Sequence, residues 1–193
     1  TQMIAKGHDF PHVTLVGILD ADMSLHFSDY RSGERTYQLL TQVAGRSGRA
    51  ADKGTVVLQT YSPNDPVLRF AMNYDYEGFF QREIAIRKAT HFPPYSRIIR
   101  VLVEAVDEND ALETLKSVYF ELKSIYDSAR QSFSFFNKMK SPIKRLKNKY
   151  RYQVLMRIVE NDETLRNRIF DAALKYRNDK ALISVEENPS NLS

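Results

Sequence analysis

The chain has 193 residues, 42% hydrophobic and 27% charged, a balance that is typical of folded globular proteins and excludes wholesale disorder. No apolar run approaches the roughly 20 residues that span a bilayer, so we expect no membrane partner. The absence of cysteine excludes disulfides and thiolate metal sites and is consistent with a cytoplasmic protein. The first residues lack an initiator Met and the apolar run of a secretory signal, and we expect a piece of a longer protein.

The first half of the chain has the pattern of a parallel α/β sheet. Residues 12–22 and 54–62 are apolar and β-branched, which predicts two buried strands. Between them, residues 33–49 predict a helix with Ser32 as its cap. The order strand, helix, strand is typical of a parallel sheet with a crossover helix.

Helical residues and a proline-rich segment close this half. Residues 64–90 predict one or two helices, with Pro66 near the first turn and Gly78 as a weak point. The segment HFPPYS, residues 91–96, stops helix and strand alike. We therefore expect two domains, residues 1–92 and 93–193.

The second half predicts a β-α-β-β-α-β order, the split βαβ or ferredoxin-like arrangement. The strongest element is a periodic helix at 107–130 that places one apolar face toward a core, formed by Ala111, Leu115, Val118, Leu122 and Ile125. The other predicted elements are strands at 97–106, within 133–146, at 150–160 and at 181–188, and a helix at 162–177.

The positive charge of the chain is concentrated in the second half. Residues 128–159 contain nine of the 28 Lys and Arg residues and none of the 24 acids, so the rest of the chain is net negative. Within this interval, NKMKSPIKRLKNKYRYQ (137–153) places bases beside tyrosines. Cations for phosphates and aromatic rings for bases are the ingredients of single-strand binding. The sequence predicts nucleic-acid contacts from Lys144, Arg145, Lys147, Lys149 and Tyr150.

The segment QVAGRSGR in the first half is unusual for a helix end. On a continuous helix, Gln42, Arg46 and Arg49 share one face, and the intervening glycines keep that face slim. Two guanidinium groups on one face suit phosphate oxygens. The histidines at 8, 12 and 26 are too scattered to form a metal site, so we predict none.

Two motifs resemble those of superfamily 2 helicases. QVAGRSGR resembles the last helicase motif, QxxGRxGR, and TQMIAKGHDFP resembles the motif that precedes it. The longer wording, with FPPYSRIIRVLVEA and KYRYQVLMRI downstream, resembles the primosomal protein N′ (PriA) family of replication-restart helicases. The resemblance implies that residues 1–92 are the C-terminal part of a RecA-like helicase lobe, followed by a DNA- and partner-binding domain.

The resemblance also implies roles for individual residues. Arg49 would be the arginine finger that reaches the γ-phosphate of ATP on another lobe, supported by Arg46, and Gln42 would couple nucleotide state to the lobe interface. Gly7 and Asp9 would line the nucleotide site. ATP and Mg²⁺ would be held mostly by a first lobe, because this chain contains neither a GxxxxGK[ST] loop nor a DExH box.

The resemblance further implies a 3′-to-5′ helicase whose partners are branched and single-stranded DNA, single-strand DNA-binding protein and other primosome proteins. Thr1 and Gln2 would lie near the DNA strand. The family's zinc segment would be outside this chain. Because the chain would carry half of an ATPase site, we predict that it hydrolyses no ATP by itself. Two alternatives stay open: another superfamily 2 translocase, such as a fork-reversal enzyme, and a stand-alone nucleic-acid-binding module.

Overall fold

A computed structural model describes residues 13–26, 29–45, 54–159 and 162–190. The architecture is mixed α/β, as the sequence predicts, and it divides into two compact units between Ile86 and Arg87. One unit contains a two-stranded sheet and the other a four-stranded sheet.

The first unit contains the predicted strand, helix and strand. Strand β1 (Leu15–Ile18) pairs in parallel with β2 (Thr55–Leu58), and helix α1 (Ser32–Ala44) connects them. The parallel pairing is confirmed, but the expected burial of the two strands is wrong. Most of their residues are exposed, because two strands alone give a parallel sheet too few neighbours to cover its faces.

Two further helices follow in the chain, and the second ends at Ala89, three residues beyond the boundary after Ile86. Asp65 caps α2 (Pro66–Met72) by accepting a hydrogen bond from the Val67 N–H, and Pro66 occupies the first turn as predicted. Tyr74, at φ 52°, separates α2 from α3 (Tyr76–Ala89), so the chain turns before Gly78 and not at it. The core consists of Ala21, Tyr37, Leu40, Val67, Leu68, Ala71 and Phe79.

Helix α1 is shorter than predicted at its C-terminal end. It ends at Ala44 with Gly45 as its C-cap, which fits the low helix propensity of glycine. Its N-cap is Arg31, whose side chain makes no capping hydrogen bond, so Ser32 is the first helical residue and not the cap. Arg46 and Arg49, which the prediction places on one helical face with Gln42, lie outside the described residues.

The second unit follows the order β3 (Arg97–Ala105), α4 (Glu108–Ser128), β4 (Phe133–Leu146), β5 (Lys149–Ile158), α5 (Glu163–Leu174) and β6 (Ala181–Glu187). The strand order in the sheet is β4-β5-β3-β6, and every neighbouring pair is antiparallel. Asp107 caps α4 and Asp162 caps α5, each by accepting hydrogen bonds from backbone N–H groups of the first turn.

Both helices of this unit pack on one face of the sheet. All five predicted core residues of α4 are buried there against β3 residues such as Val101 and Val103, and against Ile169 of α5. The opposite face carries two cross-strand ion pairs between directly paired residues. Arg100 meets Glu186 at 2.8 Å, and Arg151 meets Glu104 at 3.1 Å.

Candidate nucleic-acid interface

The basic stretch forms a hairpin at the edge of the four-stranded sheet. Leu146 pairs with Lys149, so Lys147 and Asn148 alone make the turn, with φ of 48° and 62°. Two central residues with positive φ give the twist that favours tight hairpins. Asn tolerates this conformation well and Lys does so less readily. Because Lys147 is one of the two turn residues, a lysine lies at the tip of the hairpin.

Strand β4 bulges just before the turn. Lys140 pairs with Tyr152 and Arg145 pairs with Tyr150, so β4 advances five residues while β5 advances two. The bulge contains Pro142, which cannot donate a ladder hydrogen bond and is confined to edges and bulges of sheets. Its Ile143 carbonyl accepts a hydrogen bond from Arg151 Nη1 at 3.5 Å. The bulge thus changes the direction of the basic side chains that follow it in β4.

Beside the bulge lies a small hollow of about 120 Å³. Its wall contains four cations, two tyrosines and one carboxylate: Lys140, Lys144, Arg145, Arg151, Tyr150, Tyr152 and Glu108. The Arg145 guanidinium lies 5.0 Å from the centre of the Tyr150 ring, a cation–π contact that restrains the arginine on the hairpin surface. The excess of cations suits an anionic group.

The single acid of the hollow is already bonded. The Tyr152 hydroxyl donates a hydrogen bond to Glu108 at the start of α4. This hydrogen bond, with burial of the ring, raises the pKa of Tyr152 to about 12. The phenol therefore stays protonated at neutral pH, and its hydrogen bond to Glu108 connects the base of the hairpin to α4.

Aromatic side chains of α4 pack along the same edge strand, β4. Tyr119 and Tyr126 of α4 flank Phe136 of β4, with ring centres 5.5 and 4.7 Å from it. Lys138 Nζ lies 4.5 Å from the centre of the Tyr119 ring. The sequence alone did not single out Tyr119 or Tyr126 as functional, although their spacing of seven residues, two helical turns, was readable.

Comparison with known proteins places the chain in a family. The model of the primosomal protein N C-terminal domain matches residues 88–190, which is more than half of the chain and includes the whole hairpin. The chain belongs to the primosomal protein N C-terminal domain family.

Relatives of this family cover the rest of the chain too. The replication restart protein PriA of Bacillus subtilis is 38% identical over 192 residues, 98% of this chain and 24% of the relative. The protein of the same name from Synechocystis is 34% identical over 81% of this chain and 18% of the relative, and that from Treponema pallidum is 50% identical over 52% and 15%. The chain thus spans about a quarter or less of each of these relatives.

The structure brings part of the predicted DNA site together. Lys144, Arg145 and Tyr150 line one hollow, whereas Lys147 lies at the turn and Lys149 directly follows it. The bases from Lys144 to Lys147 are exposed, while Tyr150 is half-buried and packs on the core beneath its arginine. The DNA-binding roles of these five residues remain predictions.

The predicted nucleotide site lies almost entirely outside the described residues. Only Gln42 is placed, exposed in the last turn of α1. The other predicted residues of the nucleotide site and of the upstream DNA contact are not described: Thr1, Gln2, Gly7, Asp9, Arg46 and Arg49. Within the described ranges, no group of His, Asp and Glu side chains could hold a metal ion, and no helix is long and apolar enough to cross a membrane.

Proposed function

We propose that this chain is the C-terminal part of a cytoplasmic, ATP-dependent 3′-to-5′ DNA helicase that restarts stalled replication forks and loads the primosome. The family match and the name of the curated relatives support the role in replication restart. The helicase activity rests on the two superfamily 2 motifs in the first fifty residues. The partners that go with this role are branched and single-stranded DNA, single-strand DNA-binding protein and other primosome proteins.

The proposal includes a finer description of both units. The parallel β1-α1-β2 arrangement supports the remainder of a RecA-like lobe in residues 1–92. The element order of the second unit and its strand order β4-β5-β3-β6 support a ferredoxin-like domain in residues 93–193. The second unit would then be the part that holds DNA and partner proteins.

The observation that carries the DNA-binding role is the basic hairpin. Its exposed cations stand on a rigid two-residue turn and a bulge, and one of them is restrained on a tyrosine ring. Restrained guanidinium and ammonium groups lose little entropy when they meet a phosphate, and each contact releases a counterion. Lys144, Arg145 and Lys147 would contact phosphates, with Lys149 and Tyr150 supporting them at the base of the hairpin.

A hairpin variant tests this role in the full 193-residue chain. We combine Lys144→Gln, Arg145→Gln and Lys147→Asn, using Asn at the turn because it accepts the positive φ. Binding of a fluorescent fork DNA should weaken, and the slope of log affinity against log salt should flatten by about 0.9 per lost contact on duplex, less on single strands. The matched control is Lys88→Gln, Arg177→Gln and Lys180→Gln, three exposed bases elsewhere in the unit. An unchanged slope in the hairpin variant contradicts the role.

The nucleotide role gives a separate prediction. Arg49 and Arg46 would reach the γ-phosphate of ATP on another lobe, with Gln42 at the lobe interface and Gly7 and Asp9 near the nucleotide. The Mg²⁺ would be bound mostly by that other lobe, and the family's zinc by a segment outside this chain.

Because the phosphate-cradling loop is absent from this sequence, the purified chain should show no ATP turnover above buffer background. A coupled phosphate-release assay measures this. Turnover that the Arg49→Ala variant abolishes would contradict the prediction, since turnover that survives this change belongs to a contaminant.

A further inference from the structure

One side of α4 carries alternating tyrosines and bases. Lys116, Tyr119, Lys123 and Tyr126 follow one another at intervals of three and four residues, which places them on one face of the helix. Arg130, in the short turn after the helix, lies over the ring of Tyr126 at the end of this face. The ring contacts of Tyr119 and Tyr126 with Phe136 show that this face lies beside edge strand β4. The acids of the helix lie largely elsewhere: Glu121, for example, accepts a hydrogen bond from Tyr176, just beyond α5.

The tyrosine rings of this face hold cations in place. Lys138 lies 4.5 Å from the centre of the Tyr119 ring, and Lys123 and Arg130 lie 5.2 and 5.4 Å from that of Tyr126. A cation over an aromatic face is restrained while its N–H groups can still donate to a second partner. Lys123 also pairs with Asp127, which is 55% exposed and is the one acid in contact with these three cations in the described structure.

These cations continue the hairpin along the same edge. Tyr119 and Tyr126 are seven helical residues apart, about 10 Å along the axis. Lys138 pairs with Val154 of β5, and Tyr150, whose ring contacts Arg145, lies four residues from Val154 on the same strand. The two cation groups are therefore about 13 Å apart along the strand. Three tyrosine-held groups of cations therefore follow one edge of the sheet.

An exposed ring beside the row favours a single strand as the occupant. Phe120 is 58% exposed and its ring centre lies 5.9 Å from that of Tyr119. Only unpaired bases offer a face for stacking on such a ring, and stacking beside a basic track is how proteins bind single strands without sequence preference. A duplex would leave this ring without a partner.

We propose that the edge row of Arg145, Lys138, Lys123 and Arg130 binds phosphates spaced along one single nucleic-acid strand that runs from the hairpin along α4 and β4. This inference rests on the proposed function, because the hairpin is its starting point. It adds a path for the strand and a positioning role for Tyr119 and Tyr126.

The test measures binding of a fluorescent oligo-dT of about 15 nucleotides to the full 193-residue chain by anisotropy at several salt concentrations. The edge variant combines Lys123→Gln, Arg130→Gln and Lys138→Gln. Its affinity should fall at least about tenfold, and its salt slope should flatten by about 2, or roughly 0.7 per lost contact. The control variant at Lys88, Arg177 and Lys180, with the same change in net charge, should bind nearly as the parent does.

The positioning role has its own readout. Tyr119→Phe keeps the ring and should bind as the parent does, whereas Tyr119→Leu keeps the packing but removes the ring face and should weaken binding a few-fold. Equal binding of the Phe and Leu variants would overturn the positioning role. Matching far-UV circular dichroism spectra show that each variant compared is folded.

The remaining outcomes separate this inference from the proposed function. If the hairpin variant loses affinity and the edge variant does not, the strand path is wrong and the hairpin role stands. If neither variant loses affinity, both fail. Loss in the edge variant that only equals loss in the control overturns the path, since net charge alone then explains it. If the edge variant loses binding to a fluorescent polyglutamate peptide as strongly as it loses binding to oligo-dT, the nucleic-acid assignment is overturned in favour of an acidic protein partner.

Discussion

Replacing Glu104 with alanine is expected to destabilise the second unit by about 3 kcal/mol. The carboxylate pairs with Arg151 at 3.1 Å, and the Arg151 side chain is only 8% exposed. Without Glu104, a guanidinium stays buried with a single weak hydrogen bond to the Ile143 carbonyl. Breaking such a pair costs about 3–5 kcal/mol, and the lower end applies because Glu104 itself is 19% exposed.

Hydrogen exchange measures this loss within the unit itself. The slowest amides of β3 and β5 report opening of the whole sheet, and their exchange should accelerate roughly 100-fold in Glu104→Ala. The double variant Glu104→Leu with Arg151→Leu should recover most of the protection, because an apolar pair replaces the ionic one. Lys180→Ala, which breaks the exposed pair with Asp110, should change little. Equal exchange in the single and double variants would show that the unpaired charge is not the cause.

Replacing Leu122 with alanine is expected to cost the second unit about 3 kcal/mol as well, for a different reason. Leu122 is 1% exposed and packs in the core between α4 and the sheet. Truncating a buried leucine removes transfer free energy and leaves a cavity, with a total cost of about 2–5 kcal/mol.

The same helix provides the matched control for this change. Leu112, 41% exposed, undergoes the identical substitution without leaving a cavity, and Leu112→Ala should shift the urea midpoint by little. Circular dichroism in urea compares the two variants with the parent chain. A similar loss in both would mean that the cost comes from the helix itself and not from the core.

Regular patterns in the second unit made its elements predictable. The five apolar positions of α4 recur at helical spacing, and all of them are buried in the structure. Strand β4 was predicted only in part, because lysines and Pro142 weaken its strand pattern and its bulge depends on the pairing with β5. The bulge arises from a tertiary contact that periodicity along one segment does not report.

The first unit shows the opposite case. Its two apolar strands were expected to be buried because β-branched runs usually have neighbours on both faces, yet Leu15 is 62% and Val57 is 55% exposed. Burial depends on what covers a strand, and the strand's own residues do not contain that information. For the end of α1, the glycine signal was present at Gly45, and the helical spacing of the arginines outweighed it.

The candidate site was partly visible in the sequence. The acid-free interval identified the exposed bases of the hairpin, because charge is a direct property of the residues. Tyr150 was predicted as part of the site, but Tyr119 and Tyr126 of α4 were missed, since the contact of Tyr119 with Lys138 crosses between elements. A helical reading of residues 116–130 would have shown the alternation of rings and bases, but not the strand beside it.

The position of β3 in the sheet has a consequence for synthesis of the protein. This strand comes first in its unit, yet it lies in the middle of the sheet, and its pairs reach from Ile99 to Glu187. A ribosome adding about 5–20 residues per second delivers β6 roughly 4 to 18 seconds after β3. During that interval a strand whose residues are mostly buried in the finished sheet has one or both of its edges unpaired. Chaperone binding and misassembly of nascent chains should therefore be concentrated on β3, before the last strand closes the sheet.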